Sequence, residues 1–412
     1  MDSGIKTDPF VILKNAEMKR FIEKIIEGLL KLSGGVTSIV ILLIVVFLFK
    51  EGVGLFGNST IENGYVLSVN TSNPIDRLSP EQVKKIFDEE VTNWKEVGGP
   101  DEEIQVFRFE QIFDLYPEEE LEGEKLSLRL NEEVAQNRGI IAFLPERYLL
   151  PSFKGKILKD ERVSVSEFFF GKEWFPTSVP AAQFGMLPLL LGTLLVSFGA
   201  IAIALPFGLS VAIYLSEIAH PRVRKIFKPV IELLAGIPSV VYGFFGLVVV
   251  VPLIQKGFGL PVGETGLAGS LILAVMALPT IITVAEDAIR TTPRVMKEAS
   301  LGLGATHWQT IWRVVLPYSV SGIMAAVVLG IGRAIGETMA VLMVTGNAAV
   351  MPTTLLEPVR TIPATIAAEL GEAPAGSAHY ESLFMLGCIL FVLTLAISLS
   401  VEFISGKKRV NN

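Results

Sequence analysis

Residues 298–317 read EASLGLGATHWQTIWRVVLP, and this stretch connects two long apolar segments of a 412-residue chain. Its most informative residues are Glu298, Ala299, Ser300, Gly304, Leu316 and Pro317. A glycine at the centre permits a tight turn between two short helices, and an amphipathic pair of helices can bind a partner protein. From the spacing alone, an ordinary amphipathic connector remains the alternative.

The chain around this stretch is very apolar. It is 50% hydrophobic and only 19% charged, whereas soluble domains carry about 25% charged residues. A bilayer crossing needs about 20 mostly apolar residues, and glycine and proline are tolerated there when neighbouring helices satisfy the backbone. We therefore predict an all-α polytopic membrane protein with six transmembrane helices, near residues 32–49, 186–215, 230–254, 267–289, 318–344 and 383–404.

Lysine and arginine are distributed unevenly between the loops. They concentrate in the N-terminal segment, after the second and fourth spans, and in the C-terminal tail, which by the positive-inside rule places both termini in the cytoplasm. Residues 51–182 hold 25 acidic and 14 basic residues, a net charge of −11. The predicted divisions are a cytoplasmic amphipathic segment at 1–31, a first transmembrane helix at 32–56, an extracytoplasmic insert at 60–178, a five-helix core at 183–405 with a cytoplasmic loop at 291–317, and a cytoplasmic tail at 406–412.

Residues typical of enzymes and metal sites are scarce. The chain has one cysteine, Cys388, three scattered histidines and no glycine-rich loop of the GxxxxGK[ST] type, which is the usual cradle for ATP phosphates. We predict no catalytic, cofactor-binding or metal-binding residues and no nucleic-acid partner. Any ATP hydrolysis is expected in a separate subunit.

The fifth apolar segment contains charged residues. Arg333 and Glu337 are four positions apart, so on a continuous helix they share a face and can pair. Charges in mid-membrane usually face a bundle interior or a water-filled path. From the chemistry alone, two interpretations stay open: a structural ion pair, or a polar lining for an anion path.

Three runs carry a resemblance to a known family: AGIPSVVYGFFGL at 235–247, the stretch at 298–317, and RAIGETMAV at 333–341. Together they resemble the PstC-type permease subunits of bacterial phosphate ABC importers, over residues 183–405 and the first span. In the family's loop motif, Ser300 replaces an alanine and Val314 an isoleucine. The resemblance implies a type I importer permease fold, inorganic phosphate as cargo, passage of phosphate past Arg333 and Glu337, and docking of the loop on an ATPase.

The same resemblance implies the partners and the location. It implies a sister permease (PstA-like), a cytoplasmic ATPase dimer (PstB-like) and an extracytoplasmic phosphate-binding protein (PstS-like), in the inner membrane of a bacterium and surrounded by its lipid. Two alternatives remain: a permease for another oxyanion such as sulfate or molybdate, and a membrane sensor or scaffold that uses its external domain.

The insert alternates strand and helix signals, which predicts an α/β domain. Its segment NPIDRLSPEQVKKIFDEEVTNWKEVGG, at residues 73–99, resembles phosphate-binding proteins, and about one lobe of that fold is present. In that family a strand ending in arginine is followed by a Ser-Gly-Thr anion loop. Here Arg108 is followed by Phe109, Glu110 and Gln111, so we expect that the insert does not bind phosphate.

Overall fold

The computed structural model describes residues 9–159 and 162–409, with the backbone alone for residues 9–23 and 401–409. Contacts divide the chain into two units, Met1–Glu51 and Gly52–Asn412. Helix α1, Pro9–Gly54, supplies the described residues of the first unit and continues to the first three residues of the second; it has no break near residue 31, where the sequence predicted a boundary between two segments. The hydroxyls of Thr37 and Ser38 bond to carbonyls one turn back. Part of the predicted amphipathic segment, residues 1–8, lies outside the described residues.

Six helical segments in the described part of the chain are long and apolar enough to cross a membrane, as predicted. Each carries at least 18 residues with a high mean hydropathy. This confirms a mostly helical polytopic fold with a small α/β region. The spans are Lys24–Gly57, Leu187–Ile218, Ser239–Phe258, Gly266–Arg290, His307–Ile335 and Ala378–Ser400.

The second unit centres on one helix of the fourth span, α10. It packs against the helices of the second and fifth spans, α6 and α13, and it contributes seven of the 19 buried residues of one apolar cluster, more than any other helix. Short helices fill the ends of the bundle. The helices are α6 Leu187–Ile213, α7 Pro221–Ala235, α8 Ser239–Phe245, α9 Val251–Phe258, α10 Gly266–Arg290, α11 Arg294–Gly302, α12 His307–Thr310, α13 Leu316–Ile335, α14 Met339–Val344, α15 Ile362–Glu369 and α16 Ala378–Arg409.

The third span begins later than the sequence predicted. We expected it from about residue 230, but Pro221–Ala235 forms the separate helix α7, and the span starts at Ser239. Gly236 ends α7, and the residue before Pro238 is disfavoured from helical geometry. The apolar residues of α7 made the two helices read as one.

The insert is a four-stranded sheet with helices on both faces. The strands stand in the order β2-β3-β1-β4, with β2 parallel to β3 and the other neighbours antiparallel. Separate apolar clusters lie on the two faces, one including residues of α2 and the other residues of α4. The elements are β1 Tyr65–Asn70, α2 Pro80–Phe87, β2 Gln105–Arg108, α3 Ile112–Leu115, α4 Glu124–Gln136, β3 Ile140–Pro145, β4 Gly155–Ile157, α5 Val165–Phe170, β5 Trp174–Phe175 and β6 Gln183–Phe184.

Polar contacts join the insert to the membrane-spanning helices. At its end, Trp174 donates from its indole nitrogen to Glu369 at 3.1 Å. The same carboxylate forms an ion pair with Arg360 at 2.6 Å and a hydrogen bond with His379 Nε2 at 2.9 Å. At its start, Asn58 donates its amide to Glu381 at 2.6 Å. The insert is therefore held at both ends by carboxylates of α15 and α16.

Candidate functional site

The helix of the fifth span is broken where its charged residues lie. α13 ends at Ile335 and α14 begins at Met339. Gly332 and Gly336 are exposed on either side of Arg333, and the amide of Gly336 makes the last helical bond, to the carbonyl of Gly332 at 3.2 Å. Such interrupted helices within a membrane are tolerated where the free backbone groups line a cavity or are buried in protein.

Arg333 lies near the middle of the bundle. Its Nη1 donates to the Thr280 hydroxyl at 3.4 Å, and Thr280 is the fifteenth of the 25 residues of α10. Since 25 helical residues span about 37 Å, this point lies well inside an apolar layer of about 30 Å. A half-buried guanidinium at that depth is costly unless it faces water, a ligand or an opposite charge.

Glu337 does not supply that opposite charge, contrary to what the spacing suggested. Its Oε1 accepts a bond from the Ala340 amide at 3.3 Å and so caps the start of α14. Within the described residues it forms no ion pair with Arg333. The i to i+4 argument failed because the helix stops at Ile335, and the two side chains no longer share a helical face.

The loop before this span folds as two short helices around a glycine turn. Gly304 has φ +86°, a region that side chains beyond glycine rarely adopt. Thr306 caps α12 by a reciprocal pair of bonds with Gln309, a motif worth about 1 kcal/mol. Leu316 and Pro317 open α13. The turn predicted from the spacing is therefore present.

The outer surface of this loop is apolar. Glu298 and Ala299 are exposed on α11, and Leu303 is 91% exposed at the turn. Exposed apolar clusters of this kind usually mark an interaction surface. We call these side chains the loop patch: Val295, Met296, Leu301, Leu303, Trp308 and Trp312.

The inner surface of the loop is fixed to the spans by polar contacts. Ser300, the position that departs from the family's alanine, shares a hydrogen bond of 2.9 Å with the Thr310 hydroxyl. Lys297 forms an ion pair with Glu217 at 2.6 Å, at the end of the second span. The two short helices therefore hold together and attach to the bundle as one body.

A second buried carboxylate lies on the same side of the bundle. Glu286 of α10 has a side chain 1% exposed, and it pairs with Arg224 and, at 3.4 Å, with Lys228 of α7. Lys228 also bonds Asp287 at 2.9 Å, and this contact raises the pKa of the lysine despite partial burial. These pairs hold α7 against the end of α10.

The insert places Arg108 where an anion loop would begin, but uses it differently. Its Nη2 donates to the Phe87 carbonyl at 3.2 Å, and its guanidinium carbon lies 5.2 Å from the centre of the Phe87 ring. Gln111 accepts from the Arg108 amide at 2.7 Å, and Phe109 stacks on Tyr148. The guanidinium is thus occupied by contacts within the lobe.

Among the described residues, no group of three histidine, cysteine, aspartate or glutamate side chains is placed to hold a metal ion. Sequence reasoning overlooked Glu217, Glu286 and Thr280, and it overlooked the loop patch. One signal was available: Glu286 is an acid near the end of the fourth apolar span, and the loop after the second span is rich in bases. Thr280 carried no such signal.

Comparisons with known proteins find similarity in both the membrane-spanning part and the insert. The family described as "Binding-protein-dependent transport system inner membrane component" matches residues 204–410, and a "PBP superfamily domain" matches residues 57–110 of the insert. The probable ABC transporter permease protein YqgH of Bacillus subtilis is 40% identical over 60% of this chain and 80% of its own. The phosphate transport system permease protein PstC of Mesorhizobium japonicum is 41% identical over 56% of this chain and 75% of its own.

A further relative has a slightly lower sequence identity. The phosphate transport system permease protein PstC of Pasteurella multocida is 36% identical over 56% of this chain and 76% of its own. Among solved structures, a MetNI methionine ABC transporter matches 54% of this chain and 94% of its own at 21% identity and a TM-score of 0.41, a level that carries no functional argument.

Proposed function

Since the chain belongs to the family of binding-protein-dependent transport system inner membrane components, we propose that it is the transmembrane permease subunit of an ATP-driven importer of inorganic phosphate. Several relatives at 36–41% identity are phosphate transport system permeases, and this supports phosphate as the anion. Members of this family depend by description on a separate binding protein.

The observation that carries the proposal is Arg333 at the break of the fifth span. Its guanidinium has one hydrogen bond among the described residues, to Thr280, and no carboxylate partner. The planar guanidinium can donate two parallel hydrogen bonds to two oxygens of a phosphate, and it cannot be deprotonated in proteins. A passing oxyanion supplies the charge that the bundle lacks at this depth. In this proposal Glu337 shapes the path by capping α14.

The loop patch gives the proposed coupling surface. Leu303, Trp308 and Trp312 suit an apolar groove on an ATPase subunit, while Glu298 and Ala299 lie exposed on the adjoining helix. We expect a PstB-like ATPase dimer to bind this surface, a PstA-like permease to complete the path, and a PstS-like binding protein to deliver phosphate on the opposite side. ATP hydrolysis belongs to the ATPase.

The test is uptake by the reconstituted complex. The chain is assembled in vesicles with its sister permease, ATPase and binding protein, and entry of labelled phosphate is followed with and without ATP. We expect ATP-dependent entry that excess sulfate or molybdate does not reduce. Strong competition by either anion would assign a different oxyanion. An intact complex that transports none of them would favour the sensor alternative.

Orientation is tested separately by thiol labelling. The distribution of basic residues supports both termini in the cytoplasm of a multi-pass inner membrane protein. In a Cys388→Ser background, Gly371→Cys should react with an impermeant reagent added outside intact cells, because the site is exposed and open. Lys225→Cys on exposed α7 should react only after permeabilisation. The reverse pattern would invert the topology.

A further inference from the structure

We propose that the ion pair between Lys297 and Glu217 is the positioning link through which movement of the loop at 291–317 reaches the second span. This rests on the proposed function, because it assumes that a partner binds the loop patch. It assigns a transport role to two residues outside the loop motif and outside the anion path.

The pair is placed for this role. Lys297 lies on α11 directly before Glu298, which is exposed on the surface that a partner would cover. Its Nζ is 2.6 Å from Glu217 Oε1, and the two side chains are 23% and 6% exposed. Removing or displacing one partner of a buried ion pair is strongly unfavourable, because it leaves an uncompensated buried charge. Displacement of α11 must therefore either move Glu217 with it or leave both charges without a partner.

Glu217, the residue that α11 would displace, lies in an irregular turn of helix. Glu217 belongs to a π-helical turn, Tyr214–Ile218, that follows α6. A π turn makes wider i to i+5 bonds and is often found at functional positions within helices. Because its geometry departs from the regular helix, it is a natural point for the end of the second span to bend.

A second contact repeats the arrangement in the fifth span. Ser300, three residues after Lys297 on α11, bonds Thr310 at 2.9 Å. Thr310 directly precedes another π-helical turn, Ile311–Val315, at the base of α13. One face of α11 is thus bonded at or next to a π turn in each of two spans. The fifth span carries Arg333, so this second contact leads from the loop to the helix of the proposed path.

The other ion pairs on this side of the bundle lack these features. Glu286 joins α7 to α10 through Arg224 and Lys228, and α10 is an uninterrupted helix through Arg290. Asp287, which also bonds Lys228, is more than half exposed. This group fastens α7 in place and does not touch the loop. It therefore offers a matched control.

The experiment measures phosphate transported per ATP hydrolysed by the reconstituted four-component complex. The variants are Lys297→Gln, Glu217→Gln, and the exchange Lys297→Glu with Glu217→Lys. Asp287→Asn is the control, since it removes a charge from a neighbouring pair. We expect each single variant to hydrolyse ATP but to move at least about tenfold less phosphate per ATP, within the range of typical coupling effects. The exchange should recover most of the ratio, and Asp287→Asn should match the wild type.

Two results would overturn the link. One is a wild-type ratio in Lys297→Gln, and the other is an exchanged pair that performs no better than the single variants. If the single variants fail to assemble, the exchange decides: a recovered ratio supports the link and an unrecovered one refutes it. Wild-type uptake of phosphate tests the proposed function by itself. If the cargo is another oxyanion, the same ratios are measured with that anion.

Discussion

The broken fifth span and the external insert each place an arginine next to the end of a regular element, Arg333 and Arg108. The two guanidinium groups differ in how many partners the protein gives them. Arg108 donates to a carbonyl and lies over the Phe87 ring inside a folded lobe. Arg333 has a single bond, 3.4 Å long, to the Thr280 hydroxyl. Its expected carboxylate partner, Glu337, is turned away to cap the next helix.

From this difference we infer that Arg108 is a structural arginine, whereas the proposed function needs Arg333 to be available to a ligand. Each arginine lies at or near the end of its element, since β2 ends at Arg108 and α13 ends two residues after Arg333. The burial of polar groups requires partners, and in the insert the lobe supplies them. In the spans the partner is missing at a depth where an unpaired charge is unfavourable. The predictions below test this contrast.

The largest effect is expected for Arg333→Gln. The change keeps a polar side chain but removes a permanent charge and a paired donor. Hydrogen bonds to charged groups contribute about 1.5–3 kcal/mol, so phosphate uptake should fall by roughly 10- to 100-fold. Uptake is measured on a complex whose assembly is verified by co-purification. Uptake by Arg333→Lys should lie between that of Arg333→Gln and that of the wild type. Unimpaired uptake by Arg333→Gln would mean that the arginine has a structural role.

The next effect is expected in the loop. Gly304→Val forces a β-branched residue to φ +86°, although a Cβ there meets no heavy atom within 4 Å. The penalty is therefore backbone strain of about 1–2 kcal/mol or more, and not a clash. Uptake should fall several-fold while the chain still inserts in the membrane. Gly302→Ala is the control, because that glycine has open space and no positive φ. Equal uptake by both variants would remove the need for this turn.

How much of this could be read from the sequence depended on the range of the interaction. Six spans and the glycine turn at Gly304 follow from local composition and spacing, and both are present. The resemblance to phosphate importer permeases also located the family. These features depend on neighbours along the chain, so a linear pattern encodes them.

Features that depend on distant residues were wrong or overlooked. The spacing of Arg333 and Glu337 indicated a pair, but the helix ends between them. The third span was extended over α7, because Gly236 and Pro238 are tolerated in membrane helices and gave no clear boundary. Glu217 and Lys297 are 80 positions apart, and no local pattern connects them. The anion path and the coupling links belong to this second group.

A moderate effect is expected where the insert meets the spans. Burial raises the pKa of the Glu369 carboxyl, but the bond from His379, the charge of Arg360 and the indole of Trp174 together hold that pKa below its usual value. A lowered carboxyl pKa contributes stability above the unfolded-state pKa of about 4.3, and the contribution is lost as pH falls through the folded value. The temperature of the unfolding midpoint of the purified chain should therefore fall as the pH is lowered below about 4.5.

Glu369→Gln should lower that midpoint at pH 7 by a few degrees and remove part of its dependence on acid pH. The matched control is Glu372→Gln, an exposed carboxylate three residues further on, which should leave the midpoint unchanged. Thermal unfolding in detergent measures both. A variant at Glu369 with the same acid profile as the wild type would mean that this carboxylate does not hold the insert.

The smallest effect is expected for Arg108→Gln, and this prediction completes the contrast. The guanidinium already has a carbonyl acceptor and an aromatic face, and the insert carries a net charge of −11 over residues 51–182, which opposes the approach of an anion. Uptake and its half-saturating phosphate concentration should stay within about twofold of the wild type. Arg129→Gln serves as the control, since that arginine also lies over an aromatic ring and pairs with two glutamates. If Arg108→Gln alone reduces uptake, the lobe has kept an anion site despite its altered loop. If both variants reduce uptake equally, the cause is weaker folding of the insert, and transport then depends on an intact external domain.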